Sequence, residues 1–401
     1  MRVLFVVPYV PNLVRVRPYH LVRQLSARGH QVTVLTVCTS AEEEKEADAL
    51  RQLCYKVETV SVSRWRSLWN CLLALPGVTP LQAVYSWQPE LLTQIRVSDF
   101  DVIHVEHLRG STYGLKLKSQ FNGHCPPIVW DSVDCISLLF QQASAQSKRQ
   151  VSRWLTRFEL DRTERYESWL LSQFDRVLVT SPADREAMLA LQPGNDARAN
   201  ICVTPNGVDL NYFAPNETLQ REPATLVISG KMSYHANVTM TLNLVSDIMP
   251  HVWARRPDTK LWIVGKNPTQ DILALAENPA ITVTGTVNDI RPYLQKATVA
   301  VAPIAYGVGI QNKVLEAMAC ATPVVCTPKA VSALSAVADR DLLVAQEAQT
   351  FAEKVLTLIE DPHKQKEVGQ AGRGYVERHH QWDAITAQLE ETYNEVIGAA
   401  R

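Results

Sequence analysis

The chain is expected to fold as two doubly wound parallel α/β domains. Three observations predict this. Short apolar, β-rich runs alternate with helical segments in two successive rounds, the pattern that parallel sheets solve. A stretch dense in turn formers separates the rounds. The length of 401 residues exceeds what one hydrophobic core usually organises.

The first round has β-rich runs at 2–7, 31–37, 101–105, 127–131 and 176–180. Its opening unit reads Val3-Leu4-Phe5-Val6-Val7, then a Pro-containing loop, then a helix from about Tyr19 to Arg28 ended by Gly29. The second round runs at 225–229, 260–264, 281–284, 299–303 and 323–326, with helical segments such as 237–256 and 289–297 between them. Thr204 to Pro215 is the expected hinge. Trp382 to Ile397 reads as an amphipathic helix long enough to pack back across a domain boundary. The expected division is therefore 1–207, 208–380, and a terminal helix in 381–401 returning to the first domain.

Charge and cysteine content exclude several classes. With 40 basic and 41 acidic residues, the chain is not a general polyanion binder, and no nucleic-acid partner is expected. Its eight cysteines form no CxxC pair, and Cys320 and Cys326 lack a histidine at ligand spacing. Reduced thiols and a cytoplasmic setting follow. The Val3–Val7 run is too short for a signal-peptide core, and no segment approaches the roughly 18 apolar residues that span a bilayer. Ser63 to Leu73 is basic and aromatic, and no acidic residue lies between Glu58 and Glu90. It reads either as an amphipathic helix at the inner membrane face or as a core helix with two solvated arginines.

The most informative stretch is Gly307-Val308-Gly309-Ile310-Gln311-Asn312-Lys313-Val314-Leu315-Glu316-Ala317-Met318-Ala319, before Thr322-Pro323-Val324-Val325. A buried strand leads into a two-glycine loop, where amides can approach a ligand without Cβ interference. A helix start follows, with free N–H groups and partial positive charge suited to a diphosphate. Lys313 and Glu316, three residues apart, share a helix face. The lysine can meet a phosphate and the carboxylate can accept sugar hydroxyls; an ordinary strand-loop-helix connection with a solvated Lys/Glu pair is the alternative. The loop is no P-loop, because no Gly-Lys-Ser/Thr follows at the required spacing.

Taken together, Pro205-Asn206-Gly207-Val208-Asp209 with Phe213, the Gly307–Glu316 segment, Glu316-Ala317-Met318-Ala319 and Val283-Thr284-Gly285-Thr286-Val287 carry a resemblance over nearly the whole chain. Phe174-Asp175-Arg176-Val177 before Thr180-Ser181 adds to it, as do Ser229-Gly230-Lys231-Met232 and Ile263-Val264-Gly265. The chain resembles the retaining glycosyltransferases of family 4, of GT-B fold, and a subgroup associated with exopolysaccharide assembly. The resemblance implies two Rossmann-like domains facing a cleft and a nucleoside-diphosphate sugar donor, UDP-sugar favoured over GDP-sugar. The acceptor would be a hydroxyl of a glycan, a glycolipid or a small molecule, and no cofactor or metal would be needed. It also assigns residues. Donor contacts fall on Gly230, Lys231, Gly285, Thr286, Val287, Gly307, Gly309, Ile310, Lys313 and Glu316; catalytic roles fall on Glu106, His107, Lys231 and Lys313.

Departures are visible. Val308 stands where many relatives have a first glutamate, and a second lysine after Lys231 is replaced by the neighbourhood of His235 and Asn237. The first βα loop is Pro8 to Arg17 rather than a Gly-Gly pair, and Arg15 or Arg17 could hold a donor phosphate or an anionic acceptor. Asp131 and Asp134 could bind acceptor or sugar hydroxyls, or cap the helix that begins near Cys135. His104 reads as a packed strand histidine. Asp99-Phe100-Asp101 is not read as a metal-binding pair, since it precedes a strand in the acceptor-side domain. Two rival readings share the fold: a sugar-nucleotide 2-epimerase, and a catalytically silent nucleotide-sugar-binding subunit.

Overall fold

A computed structural model describes residues 1–400 except 121–124, 147–149, 193–199, 217 and 308. The chain forms two compact units, Met1–Pro205 with Trp382–Arg401, and Asn206–Gln381. The expected divisions after 207 and 380 lie two residues and one residue from these.

In the first unit, seven strands are β1 (Arg2–Val7), β2 (Gln31–Cys38), β3 (Lys56–Ser61), β4 (Val102–Glu106), β5 (Ile128–Val133), β6 (Arg176–Val179) and β7 (Ile201–Val203). They lie in the order β3-β2-β1-β4-β5-β6-β7, and every pairing is parallel. Both faces of a parallel sheet are covered, so its central strands are continuously apolar rather than alternating. Val3 to Val7 are all fully buried for that reason. Leu4 and Val6 enter one core, while Val3, Phe5 and Val7 enter the other. The terminal helix, Trp382–Ala400, presents Trp382, Ile385, Leu389, Tyr393 and Val396 to that second core. Their spacing of three and four residues is one helical face.

In the second unit, β8 (Thr225–Ser229), β9 (Lys260–Val264), β10 (Ile281–Gly285), β11 (Val299–Ala302), β12 (Val324–Cys326) and β13 (Leu343–Val344) form a parallel sheet in the order β10-β9-β8-β11-β12-β13. The helix expected over 237–256 is interrupted. His235–Asn243 is α-helical, Leu244–Ile248 forms a π segment, and Met249–Arg255 resumes the α-helix. Pro250 has no amide hydrogen for the ladder, so a locally widened turn meets it.

Strand order reverses in each sheet between the first strand and its later neighbour, β1/β4 and β8/β11. Ligands of open α/β sheets collect outside the carboxyl ends of strands at such points. Four segments emerge there: the loop after Val7, the Glu106-His107 junction, Ser229-Gly230-Lys231, and the residues that follow Ala302. No helix among the described residues is long and apolar enough to cross a membrane.

Candidate active site

In the second unit the glycine loop leads from β11 into the helix Asn312–Ala319, whose N-cap Gln311 makes no side-chain cap hydrogen bond. Gly309 has φ +65°, the left-handed region that glycine adopts without strain. Val308 lies outside the described residues. The side chain of Ile310 is buried in the core of this unit, which anchors the loop and leaves its contribution to a ligand to the backbone. Asn206 donates from Nδ2 to Asn312 Oδ1 at 3.4 Å, and His380 Nδ1–H donates to the Asn206 carbonyl at 2.7 Å. Asn206, held by His380, thus meets the first residue of the glycine-loop helix.

Lys313 donates from Nζ to Asn237 Oδ1 at 2.7 Å, and Asn237 donates from Nδ2 to the Lys231 carbonyl at 3.0 Å. The Lys231 side chain is exposed. Gly230 has φ +148°, and a Cβ there would meet Asn237 Nδ2 at 2.8 Å. At Gly265 a Cβ would lie 1.7 Å from the Gly230 carbonyl oxygen, so the turns after β8 and β9 pack backbone to backbone. Burial pushes Lys313 down to about 8, against the opposing pull of Glu316, and pushes Glu316 up to about 7, against Lys313. His235 Nδ1 and Tyr306 Oη lie 2.7 Å apart with the rings stacked, tying the start of the His235 helix to the glycine loop. Gly285, with φ +65°, closes β10, and Thr286 follows it exposed.

In the first unit β4 passes directly into the helix His107–Gln120, and His107 takes φ +64° at the junction. A bulky residue in that region is held by its surroundings. Trp130 Nε1–H donates to the His107 carbonyl at 3.3 Å, and the Arg109 amide donates to His107 Nδ1 at 3.3 Å. With Nδ1 accepting, the ring proton sits on Nε2. Burial and then Arg109 push His107 down to about 3, so the imidazole is neutral. Glu106 is 2% exposed and accepts from Tyr9 Oη at 2.9 Å. Burial, reinforced by Asp131, raises it to about 8.

Two expectations are corrected here. Arg17 is 3% exposed: its Nε donates to Asp131 Oδ2 at 2.7 Å, and its Nη1 donates to the carbonyls of Thr204 and Pro205 at 3.0 and 3.1 Å. Burial would raise Asp131, but Arg17 and His104 hold it below the usual carboxylate range. Neither residue of this internal pair presents its charge to a phosphate or an acceptor. Arg15 is instead tied to Glu43 at 3.2 Å and stacks over the Tyr9 ring. Asp134 does not cap the next helix. The amide of Cys135 donates to Asp184, and those of Ile136 and Ser137 donate to Glu167. Asp134 accepts from Thr180 Oγ1 at 3.2 Å, and burial followed by Asp184 pushes it up. His104 is a packed histidine, stacked on Phe5 and bonded to Tyr393 at 2.8 Å.

Asn237 and Tyr9 are bonded to candidate site residues but carry no assignment from the sequence. Asn237 had a signal, since it stands where a second basic residue was sought. Tyr9 had none, because only the return of the β1 loop toward the end of β4 brings it to Glu106. Asp101, of the Asp99-Phe100-Asp101 run, accepts from the Arg2 amide and guanidinium at 2.7 and 3.1 Å. Among the described residues, no group of three or more His, Cys, Asp or Glu side chains is arranged to hold a metal ion.

Residues 14–212 match the profile described as Glycosyltransferase Family 4, and residues 223–361 match Glycosyl transferases group 1. The chain is 30% identical over 275 residues to alpha-maltose-1-phosphate synthase of Mycolicibacterium smegmatis, covering 62% of this chain and 67% of that protein. This chain belongs to glycosyltransferase family 4. To the phosphatidyl-myo-inositol mannosyltransferase of the same organism, this family 4 enzyme is 30% identical over 234 residues, 56% of its own length and 58% of the relative's. It therefore spans less than two thirds of that relative. The fold is GT-B. Sucrose-phosphate synthase from Thermosynechococcus elongatus superposes with a TM-score of 0.71 at 19% identity, covering 99% of each chain. Anabaena HepE, in complex with UDP and glucose, gives 0.69 at 15% identity, covering 98% of this chain and all of that one.

Proposed function

We propose that this glycosyltransferase moves a sugar from a nucleoside-diphosphate sugar to a hydroxyl of a glycan, glycolipid or small-molecule acceptor, with retention and without a divalent metal. The carrying observation is the Lys313–Asn237–Lys231 chain of hydrogen bonds beside the glycine loop, with Glu316 one turn along the same helix. Lys313, the exposed Lys231 and the amides of the loop and helix start meet the diphosphate as negative charge grows on it. Glu316 accepts from the ribose hydroxyls, and the backbone at Gly285-Thr286-Val287 receives the base. UDP is favoured, in line with the UDP held by the HepE structure.

Glu106 and His107 handle hydroxyls of the sugar or the acceptor. Neutral Glu106 donates or accepts a hydrogen bond, and His107 donates from Nε2. At neutral pH a carboxyl near 8 is mostly protonated already, and an imidazole near 3 is a weak base. The acceptor proton accordingly passes to the departing diphosphate, whose oxygen keeps the electron pair of the broken anomeric bond. Surface-polysaccharide assembly at the cytoplasmic face of a membrane is the setting that suits such an enzyme.

Incubation with labelled UDP- and GDP-sugars tests the reading. Transfer or slow donor hydrolysis supports it. Epimer formation would assign a 2-epimerase, and binding without turnover a silent subunit.

A further inference from the structure

The helix Arg64–Ala74 is built inside out. Trp65, Leu68, Trp69, Leu72 and Leu73 recur at one-face helical spacing, and that face is exposed, Trp65 by 81% and Trp69 by 56%. Leu75 and Val78 extend the exposed surface. The buried residues of this helix are polar: Ser67 and Asn70. Asn70 Nδ2 donates to the carbonyls of Val84 and Trp87 at 3.2 and 2.8 Å. Below the following turn, Arg162 donates to the carbonyl of Ala74 at 2.6 Å, and the Leu81 amide donates to Glu159 at 2.9 Å. These polar anchors fix the underside, so the apolar face cannot roll inward. The core-helix reading of this stretch is thereby corrected.

We infer that this face is an anchor for an anionic bilayer surface, with Trp65, Leu68, Trp69, Leu72 and Leu73 entering the headgroup–acyl boundary and Arg64 and Arg66 meeting lipid phosphates. A face this apolar and contiguous marks an interaction site. Charge selects the occupant. Arg64 and Arg66 are exposed, with no carboxylate at ion-pair distance among the described residues, and no acidic residue occurs from 59 to 89. Both stand in the first turn, where the helix dipole disfavours cations, and an anionic surface offsets that cost. A second copy of the chain fits poorly, because a two-fold contact pairs this surface with itself and residues 59–89 offer the arginines no carboxylate. Tryptophans beside arginines are the composition of interfacial helices. This deepens the membrane setting proposed above and stands independently of the donor site.

The test is co-sedimentation of the full chain with vesicles of phosphatidylcholine alone and of phosphatidylcholine mixed with phosphatidylglycerol. The protein should pellet with the mixed vesicles, and W65S/W69S should weaken that binding by at least about tenfold. R64E/R66E should lose binding to the mixed vesicles, and added salt should weaken wild-type binding. Wild-type protein left in the supernatant, or W65S/W69S pelleting like wild type, would overturn the inference. So would a wild-type dimer that W65S/W69S converts to monomer, which would assign the face to a second copy. Calorimetry with UDP separates the two proposals: W65S/W69S should bind UDP as wild type does, and wild-type protein that bound vesicles but no UDP or GDP would remove the transferase reading alone.

Discussion

Arg17–Asp131 and Lys313–Glu316 are both pairs of opposite charge near the carboxyl ends of a parallel sheet, yet they do opposite things. The first is a direct contact at 2.7 Å in the interior, completed by the Thr204 and Pro205 carbonyls on one side and His104 on the other. Asp131 stays ionised because its surroundings complete its charge. In the second pair, Lys313 donates to Asn237, both residues are half-buried, and burial drives both toward neutrality. Charges satisfied within the chain hold the fold. Charges that burial leaves poorly compensated gain most from a ligand's own charge.

The largest effect should come from breaking the internal pair. Arg17→Met leaves Asp131 buried without its cation and should destabilise the first unit by about 3–5 kcal/mol, read by urea denaturation. UDP affinity of the folded protein should hardly change. His107→Ala should come next. In its proposed role at the sugar, loss of the His107 hydrogen bond should lower turnover by roughly a hundredfold while donor affinity stays near wild type, which separates chemistry from binding. Lys313→Ala should lower both, with donor affinity down at least about tenfold and urea stability little altered. If Arg17→Met cost affinity and Lys313→Ala cost stability, the contrast between the two pairs would be reversed.

The pH dependence sharpens the same contrast. UDP affinity should peak between about 7 and about 8, where Glu316 is ionised and Lys313 is still charged. It should fall above that window as Lys313 loses its proton and below it as Glu316 gains one. Each arm approaches about tenfold per pH unit at its limit. Lys313→Met should remove the alkaline arm and Glu316→Gln the acidic one, as calorimetry across pH would show. The smallest effect is that of chelation: turnover in EDTA should equal turnover without it, and activity restored by magnesium or manganese would require a different account of the diphosphate.

The sheets and the helix after the glycine loop were legible because each leaves a local trace. Central strands such as Val3–Val7 are uninterrupted apolar runs, and the glycine loop leads into a helix whose face carries Lys313 and Glu316. The missed strands lack such a trace. β3 is Lys-Val-Glu-Thr-Val-Ser at a sheet edge, β7 has three residues and β13 two, so their pairing is set by neighbours. Helix capping by Glu167 and Asp184 spans 30 to 49 residues and leaves no local pattern. Arg17 was misplaced because a loop arginine and a buried one look alike in sequence; only the fold brings Asp131 and the Thr204 carbonyl to it. In the helix Arg64–Ala74 the periodicity was correct, but periodicity does not say which face points inward. Asn70 and Ser67 decided that.

Calorimetric titration of UDP into the wild-type protein and Glu316→Ala tests the central claim most directly. Loss of a charged hydrogen bond to the ribose costs about 1.5–3 kcal/mol, so the variant should bind UDP at least about tenfold more weakly while unfolding at the wild-type urea concentration. Equal affinity in the two proteins would contradict the assignment of the glycine-loop helix as the nucleotide site.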